Sequence, residues 1–261
     1  MLPRTKGILF SGVARATWLV GIVLLLFSAN LSAQQNRGNV VCREELSVVH
    51  REELASKLRT ITGLPELKFD AAGALREGNK QAAGGSASAR ELLANSIHGK
   101  SVTVIEDASK RADVAFARVI PGKWKNDAAA GPPVFVVQID FADFDQLVGD
   151  GRALEAFNVG WGLLHELDHV VDDSLDAAAL GEAGECEAHI NQMRRECGLP
   201  ERADYFSTLL PTSANSNFTT KIVRIAFEQQ QPQARKKKRY WIVWDAKVVG
   251  GLEQTQIASL R

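Results

Sequence analysis

The 261-residue sequence has few cysteines, no excess of charge and no internal repeat, and each absence narrows what the protein can be. Its 31 basic residues are matched by 31 acidic residues, so no global positive field exists to bind nucleic acid. The three cysteines form no CxxC pair, which gives no support to a cysteine-based zinc or redox site. An apolar content of 45% is nevertheless ordinary for a protein with a sizeable core.

An odd number of cysteines leaves at least one thiol without a partner in the same chain. Cys186 and Cys197 lie in one predicted helix, roughly 16 Å apart along its axis, which is too far for a disulfide. The sequence therefore leaves two alternatives open. Either Cys42 pairs with one of these two residues, or all three thiols are reduced.

Long apolar runs are scarce, and the most prominent is "TWLVGIVLLLF" at 17–27. Three basic residues precede this run and small residues follow it, so 1–33 is typical of a secretory signal peptide cleaved after Ala33. The run is shorter than the roughly 20 residues of a comfortable membrane span, so we expect no stable span after cleavage. If uncleaved, it could serve as an N-terminal membrane anchor. The expected location is periplasmic or extracellular, and the mature chain would be mildly acidic.

Hydrophobic periodicity and turn residues predict an α+β protein with a small antiparallel or mixed sheet. A C-terminal hairpin carries the basic run Arg235–Arg239, which we interpret as a solvated tip, although it could attract an anionic surface. The predicted helices cover 43–63, 82–99, 152–172 and 184–197, and the predicted strands cover 100–107, 112–120, 134–141, 220–229 and 239–250.

The stretch "GWGLLHELDHVVDD" at 160–173 contains the pattern HExxH. His165 and His169 are four residues apart and project from the same face of a helix, so both imidazoles can reach one ion. Glu166 between them can take a proton from a metal-bound water. The neighbouring apolar stripe predicts a core helix with both histidines at its accessible edge. The plainer alternative is two hydrogen-bonded histidines without a metal.

A catalytic zinc site needs a third protein ligand. The longer metzincin pattern would place Gly at 172 and His at 175, where this chain has Asp172 and Leu175. The next predicted helix offers three glutamates instead, at 182, 185 and 187.

The residues from Glu187 to Tyr205 follow the pattern E-x-x-x-N-x-x-R-R-E-x-G-L-P-x-R-x-x-Y. Over about 150–206, the chain resembles the gluzincin-type metallopeptidase domains found among bacterial secreted effectors and polymorphic toxins. The resemblance implies a zincin-like fold, in which a small sheet packs on the HExxH helix and a following ligand helix. The chain departs from the family in Cys197, in the spacing between its second histidine and this glutamate, and in the terminal hairpin.

The resemblance makes Glu187 the matching third ligand, with Glu185 as the second choice. The chain is then predicted to be a secreted zinc metallopeptidase that acts on a peptide or protein substrate. His165, His169 and Glu187 hold Zn²⁺, and Glu166 is the general base. This interpretation divides the chain into three parts: a signal peptide (1–33), a zincin-like metallopeptidase domain (34–210) and a C-terminal hairpin extension packed on it (211–261).

A second hypothesis is an exported, envelope-associated binding protein that keeps a zincin-like scaffold without hydrolysis. The intact glutamate between two candidate ligands argues against it. A purely structural zinc is disfavoured, because structural sites prefer four closed ligands, usually with cysteine.

For other polar residues near the motif, the sequence predicts structural rather than catalytic roles. Asp168, Asp172 and Asp173 are predicted to form a solvated acidic face, from which one carboxylate could orient a ligand imidazole. Tyr205 is predicted to be a packing residue with a hydrogen-bonded hydroxyl.

Overall fold

The computed structural model describes residues 38–109, 111–123, 131–179, 181–205, 208–210, 222–232 and 235–245. The predicted signal peptide lies outside the described residues, as do 211–221 and 246–261 of the predicted C-terminal extension. Within the described ranges, no helix has the length and apolar character needed to cross a membrane.

The described chain has an α+β arrangement of six helices and three small sheets, and the predicted fold class is confirmed at this level. The elements in chain order are β1 (Val40–Cys42), α1 (Val48–Thr62), β2 (Lys68–Phe69), β3 (Leu75–Arg76), α2 (Ala87–His98), β4 (Val102–Asp107), β5 (Ala117–Pro121), β6 (Val134–Ile139), α3 (Phe141–Asp145), β7 (Val148–Gly149), α4 (Gly151–Glu155), α5 (Val159–Asp172), α6 (Gly184–Glu196), β8 (Glu201–Arg202), β9 (Thr208–Leu210), β10 (Ile222–Gln229) and β11 (Lys238–Asp245).

The first sheet has the strand order β1-β4-β6-β5. The first three of these strands are mutually parallel, whereas β5 runs antiparallel to β6 at the edge. Apolar β-branched residues dominate the paired segments, as in Val104 opposite Val136 and Val119 opposite Val137. The sheet is therefore mixed, which was one of the two predicted forms, and β5 forms one of its outer edges.

Local capping residues explain where several helices begin and end. Ser47 caps α1 and Gly63 ends it in the left-handed conformation, with φ 71°. Ser86 caps α2 by accepting a hydrogen bond from the Ala89 N–H at 2.9 Å. The prediction of one helical segment over 152–172 is wrong, because Asn158 starts a new helix and separates α4 from α5.

Two apolar clusters fill the interior. The larger one is mainly aliphatic and lies between the first sheet and the helices α1, α2, α5 and α6. The smaller one lies under the second sheet, whose strand order is β7-β11-β10-β8 with β9 also paired to β10. The predicted C-terminal hairpin is thus present as β10 and β11, and it pairs with strands from the segment 34–210.

Candidate metal centre

The helix α5 carries the HExxH motif, and its position is fixed by a cap and a buried face. Asn158 Oδ1 accepts a hydrogen bond from the Gly160 N–H at 3.0 Å and so starts the helix. Trp161 and Leu164 are buried in the core, as the apolar stripe predicts. Both motif histidines lie at the accessible edge, with side chains 13% and 18% exposed. Core packing therefore positions the motif.

The chain returns to the histidines directly after α5 ends. Asp173 closes the helix in the left-handed conformation, with φ 53°. Three residues later, Asp176 Oδ1 lies 3.1 Å from His165 Nε2 and 3.5 Å from His169 Nε2. The two imidazole planes cross at 85°, with centroids 4.9 Å apart. Two imidazole nitrogens and one carboxylate oxygen thus converge on one point, a donor set that suits Zn²⁺.

Both ring nitrogens of His169 face acceptors. Nδ1 donates to the Ser174 carbonyl at 2.7 Å, and Nε2 faces Asp176. A neutral imidazole has one N–H, so the second acceptor requires either a further proton or a cation in its place. In the absence of an ion, the hydrogen bond to Asp176 raises the pKa of His169 to about 9. These residues therefore fit a metal that replaces the proton on Nε2.

Neighbouring side chains keep the Asp176 carboxylate charged and fix its orientation. Burial would raise the pKa of its carboxyl, but hydrogen bonds from His165 and His169 outweigh burial and hold that pKa well below its usual range. The Tyr205 hydroxyl donates to Asp176 Oδ2 at 2.7 Å, and its ring is stacked on His165. The predicted hydrogen bond of the Tyr205 hydroxyl is confirmed. The other oxygen, Oδ1, faces the two imidazoles. The sequence analysis did not identify Asp176 as a candidate ligand.

Glu187, the predicted third ligand, lies on the opposite side of His165. Its Oε2 is 3.7 Å from His165 Nδ1, whereas Asp176 faces Nε2 of the same ring. Arg194 and Arg202 both bind its carboxylate, which is 1% exposed. Burial would raise the pKa of Glu187, but the two arginine charges lower it. This placement suits a counter-ion that orients the imidazole. As a direct ligand, Glu187 remains a prediction.

The remaining candidate ligands on or near α6 are Glu182, Glu185 and Cys186. Glu182 and Glu185 are exposed, and neither belongs to the group of possible ligand atoms around His165 in the described part of the chain. Cys186 does belong to it, with Sγ 3.3 Å from His165 Nδ1. Sγ thus lies on the side of the ring away from Asp176, which faces Nε2, and the thiol donates to the His165 carbonyl at 3.4 Å. Cys186 therefore fits a packing contact, and all three cysteines carry free thiols.

Glu166 follows His165 in the sequence, and its side chain lies beside the edge of the first sheet. Its side chain is buried, and desolvation raises its pKa. The Val119 backbone N–H, in the edge strand β5, donates a hydrogen bond to this carboxylate. Since β5 pairs with β6 on one side, the carboxylate lies along the other edge of β5, where it occupies the Val119 N–H. A carboxylate with a raised pKa is suited to accept and release a proton near neutral pH.

The prediction of a solvated acidic face is wrong for Asp168, which is 1% exposed, although the other two aspartates are exposed. Asp168 accepts a hydrogen bond from the Ser174 hydroxyl, and its Oδ2 lies 3.0 Å from His189 Nδ1. Because the Ser174 carbonyl accepts from His169, Asp168 supports that imidazole through Ser174. Of the three aspartates, one of which was expected to orient a ligand imidazole, Asp168 is the one that does so, through Ser174.

A pocket of about 680 Å³, counted out to its open mouth, lies beside Glu166. Gly162 contributes to its rim, where an added Cβ would lie 2.9 Å from Phe144 Cζ, so glycine allows that ring to approach α5. The aromatic side chains that line the pocket are Phe116, Phe144, Phe157, Trp161, Tyr205 and Trp244.

Comparison with protein-family models, with curated proteins and with solved structures finds no match to this chain.

Proposed function

We propose that the protein is a zinc-dependent metallopeptidase whose metal is held by His165, His169 and Asp176. The observation that supports this most is the convergence of two Nε2 atoms and Asp176 Oδ1 beside the buried Glu166. Asp176 takes the role that the resemblance to gluzincin-type domains gives to Glu187. The proposal departs from that resemblance because the Glu187 carboxylate is already neutralised by two guanidinium groups.

A bound Zn²⁺ would lower the pKa of water and polarise the carbonyl of a peptide bond. Glu166 would accept the proton of the attacking water and deliver it to the leaving amine. Its raised pKa favours holding that proton between the two steps. The reaction class is therefore peptide-bond hydrolysis without a covalent intermediate.

Neighbouring residues also hold the proposed metal ligands in position. The Ser174 carbonyl fixes the His169 ring, and the Tyr205 hydroxyl fixes one oxygen of Asp176. A peptide substrate that runs alongside β5 would pass Glu166, which accepts a hydrogen bond from Val119 in that strand. A peptide or protein substrate fits this arrangement.

The finer description of the fold and the location belong to the same proposal. The mixed sheet, the HExxH helix and the following helix support a zincin-like fold. The basic, apolar and small-residue segments of 1–33 support export by a cleaved signal peptide. The peptidase would then act in the periplasm or outside the cell.

Metal content and peptide hydrolysis test the proposal together. The protein is stripped of metal, reconstituted with zinc and analysed for bound metal beside Asp176→Asn and Glu166→Gln. We expect one zinc per chain in the parent and in Glu166→Gln, with hydrolysis of a peptide library about 10²–10⁴-fold slower in the latter. Asp173→Asn is the matched control, because Asp173 is exposed and asparagine tolerates its left-handed conformation.

The outcomes separate the competing hypotheses. No zinc after reconstitution would overturn the metal site. Zinc binding without hydrolysis of any library peptide would instead favour the exported binding protein on a zincin-like scaffold.

A further inference from the structure

One face of the second sheet carries apolar and basic side chains that the proposed peptidase function does not use. Along β10 and β11, buried residues alternate with half-buried or exposed ones, because the inner face packs on the smaller apolar cluster. Pairing places Trp241 opposite Ala226. It also places Val243 opposite Arg224 on one side and Val148 on the other. Residues directly opposite one another share a face, so these side chains form one surface, which we call the outer face.

Large apolar side chains of the outer face are in contact with solvent. Val148 is 59% exposed. Ile222, two residues before Arg224 and therefore on the same face of β10, is 39% exposed. Trp241 is half-buried on β11, the strand between them. Aliphatic and tryptophan side chains together on one exposed face are typical of an interaction surface, and tryptophan is common where proteins meet the boundary between a membrane and water.

A basic tip lies at one end of the outer face, where the hairpin turns. It consists of Arg235–Arg239, and all five side chains are exposed. Arg239 binds Glu228 on the paired strand. The other four, at 235–238, have no carboxylate within ion-pair distance in the parts of the chain that the structure describes. Their charges are therefore available to an anionic partner.

The hairpin has a positive charge that nearby acidic residues do not cancel. Arg224 and the basic tip contribute six positive charges, whereas β10 and β11 contain two carboxylates, Glu228 and Asp245. Asp150, which accepts from the β11 backbone at 2.7 Å, adds a third negative charge. The carboxylate of Glu201, on the neighbouring β8, is already bound by an arginine of α6. An excess of three positive charges remains here, on a chain with equal numbers of basic and acidic residues.

A membrane surface with anionic lipids fits both the charge and the apolar character of this region. Lysine and arginine side chains bind anionic headgroups, while exposed aliphatic and tryptophan side chains enter the boundary between headgroups and acyl chains. A nucleic acid would also attract the basic tip, and its bases would stack on tryptophan. It offers no apolar surface to cover Val148 and Ile222, however, so these two side chains favour a membrane.

We propose that the outer face and the basic tip dock on the surface of a membrane that contains anionic lipids. Binding is peripheral: the basic tip meets the headgroup charges, and Val148, Ile222 and Trp241 cover the apolar boundary beneath them. The proposal does not depend on zinc or on hydrolysis, because none of these residues belongs to the candidate metal centre.

Vesicle flotation tests the proposal with the chain from residue 34 onward, the form that the predicted cleavage leaves. This form omits the apolar run at 17–27, and the chain from Gly38 onward is a compact unit of its own. The vesicles contain phosphatidylcholine with about 30% phosphatidylglycerol, or phosphatidylcholine alone. We expect binding to the anionic vesicles to be at least about tenfold tighter, and to weaken as the salt concentration is raised.

Two triple variants remove the same charge from different places. The basic-tip variant combines Lys236→Gln, Lys237→Gln and Lys238→Gln. It should bind anionic vesicles about 100-fold more weakly, since each basic residue at such a surface contributes about fivefold. The matched control combines exposed positions elsewhere on the chain, Lys57→Gln, Lys68→Gln and Lys100→Gln. It should bind within about threefold of the parent, because these lysines lie outside the docking surface.

A third variant tests the apolar part of the surface and separates a membrane from a nucleic acid. Val148→Ser combined with Ile222→Ser changes no charge and should weaken vesicle binding about tenfold. Both positions are exposed, so the fold should be kept. No preference for anionic vesicles, or an equal loss in the basic-tip variant and its control, would overturn the proposal. Unchanged binding in the apolar variant, together with binding to single-stranded DNA, would overturn it in favour of a nucleic acid.

Discussion

Asp176 and Glu187 are carboxylates on opposite sides of the same imidazole, and they differ in what neutralises them. Asp176 lies in the turn after α5, is 38% exposed, and faces His165 Nε2. Glu187 lies on α6, is 1% exposed, and is bound by Arg194 and Arg202. An exposed carboxylate that faces two imidazole nitrogens can hold a metal that replaces the imidazole proton. A buried one that is held by two guanidinium groups instead orients the ring and stabilises the fold.

Removing Glu187 should have the largest effect on stability. Glu187→Ala leaves Arg194 and Arg202 without their shared counter-ion, and Arg194 is 2% exposed. We expect a loss of about 3–5 kcal/mol in the free energy of unfolding, measured by denaturant titration. Glu185→Ala, an exposed position on the same helix, should change it by less than about 0.5 kcal/mol. Equal stability of the two variants would show that Glu187 is not a structural ion-pair partner.

The stability of the metal-free protein should depend on pH through the interaction of Asp176 with His169. His169 has a folded-state pKa of about 9, above its ordinary value of 6.5. Its interaction with Asp176 is therefore fully present below about pH 6.5 and is lost as pH rises through 9. We expect a loss on the order of 1–3 kcal/mol in thermal or denaturant unfolding across this range.

Asp176→Asn should flatten that dependence, because the carboxylate that stabilises the imidazolium is gone. A parent protein whose metal-free stability is constant between pH 6 and 10 would contradict the proposed His169–Asp176 pairing.

Ser174→Ala tests how much the hydrogen bond between Ser174 and Asp168 contributes to stability and to zinc binding by His169. The substitution removes the hydroxyl that binds Asp168 but keeps the carbonyl that accepts from His169. Stability should fall by about 1–2 kcal/mol, since a buried carboxylate loses a hydrogen bond. Zinc affinity should change by less than about tenfold. Ser56→Ala, at an exposed position of α1, is the control. A complete loss of zinc binding would mean that the hydroxyl rather than the carbonyl positions His169.

Glu196→Gln should have the smallest effect, because this glutamate lies outside the site. Partial burial would raise its pKa, but hydrogen bonds from Ser88 and Ser86 outweigh burial and lower the pKa to about 2. Stability should fall by about 0.5–1 kcal/mol at neutral pH, with zinc affinity unchanged. In the parent, this contribution is present above about pH 4.5 and is lost as pH falls toward 2. Loss of zinc in Glu196→Gln would show that helix capping and metal binding are coupled.

Much of this arrangement could be predicted from local sequence. The HExxH helix and the following helix depend on periodicity and on end signals near each segment, and α6 was predicted to within a residue. The buried face of α5 follows from the same periodicity. The hairpin of β10 and β11 follows from two β-branched runs around a polar loop.

The position of Asp176 could not be predicted, because it depends on tertiary contacts. The left-handed Asp173 reverses the chain, and the Leu175 carbonyl then accepts from Glu185 and Cys186 N–H groups at the start of α6. These contacts turn Asp176 back towards the histidines. Sequence spacing encodes neither contact, whereas the resemblance to gluzincin-type domains pointed to Glu187 on the regular helix.

Zinc affinity of Asp176→Asn and Glu187→Gln, measured side by side by chelator competition on folded protein, tests the central claim most directly. We predict that Asp176→Asn weakens zinc binding by more than about 100-fold, beyond the 10–100-fold expected when a residue that orients a ligand is lost, and that Glu187→Gln stays within that range. Full affinity in Asp176→Asn together with loss of zinc in Glu187→Gln would contradict the account and make Glu187 the third ligand.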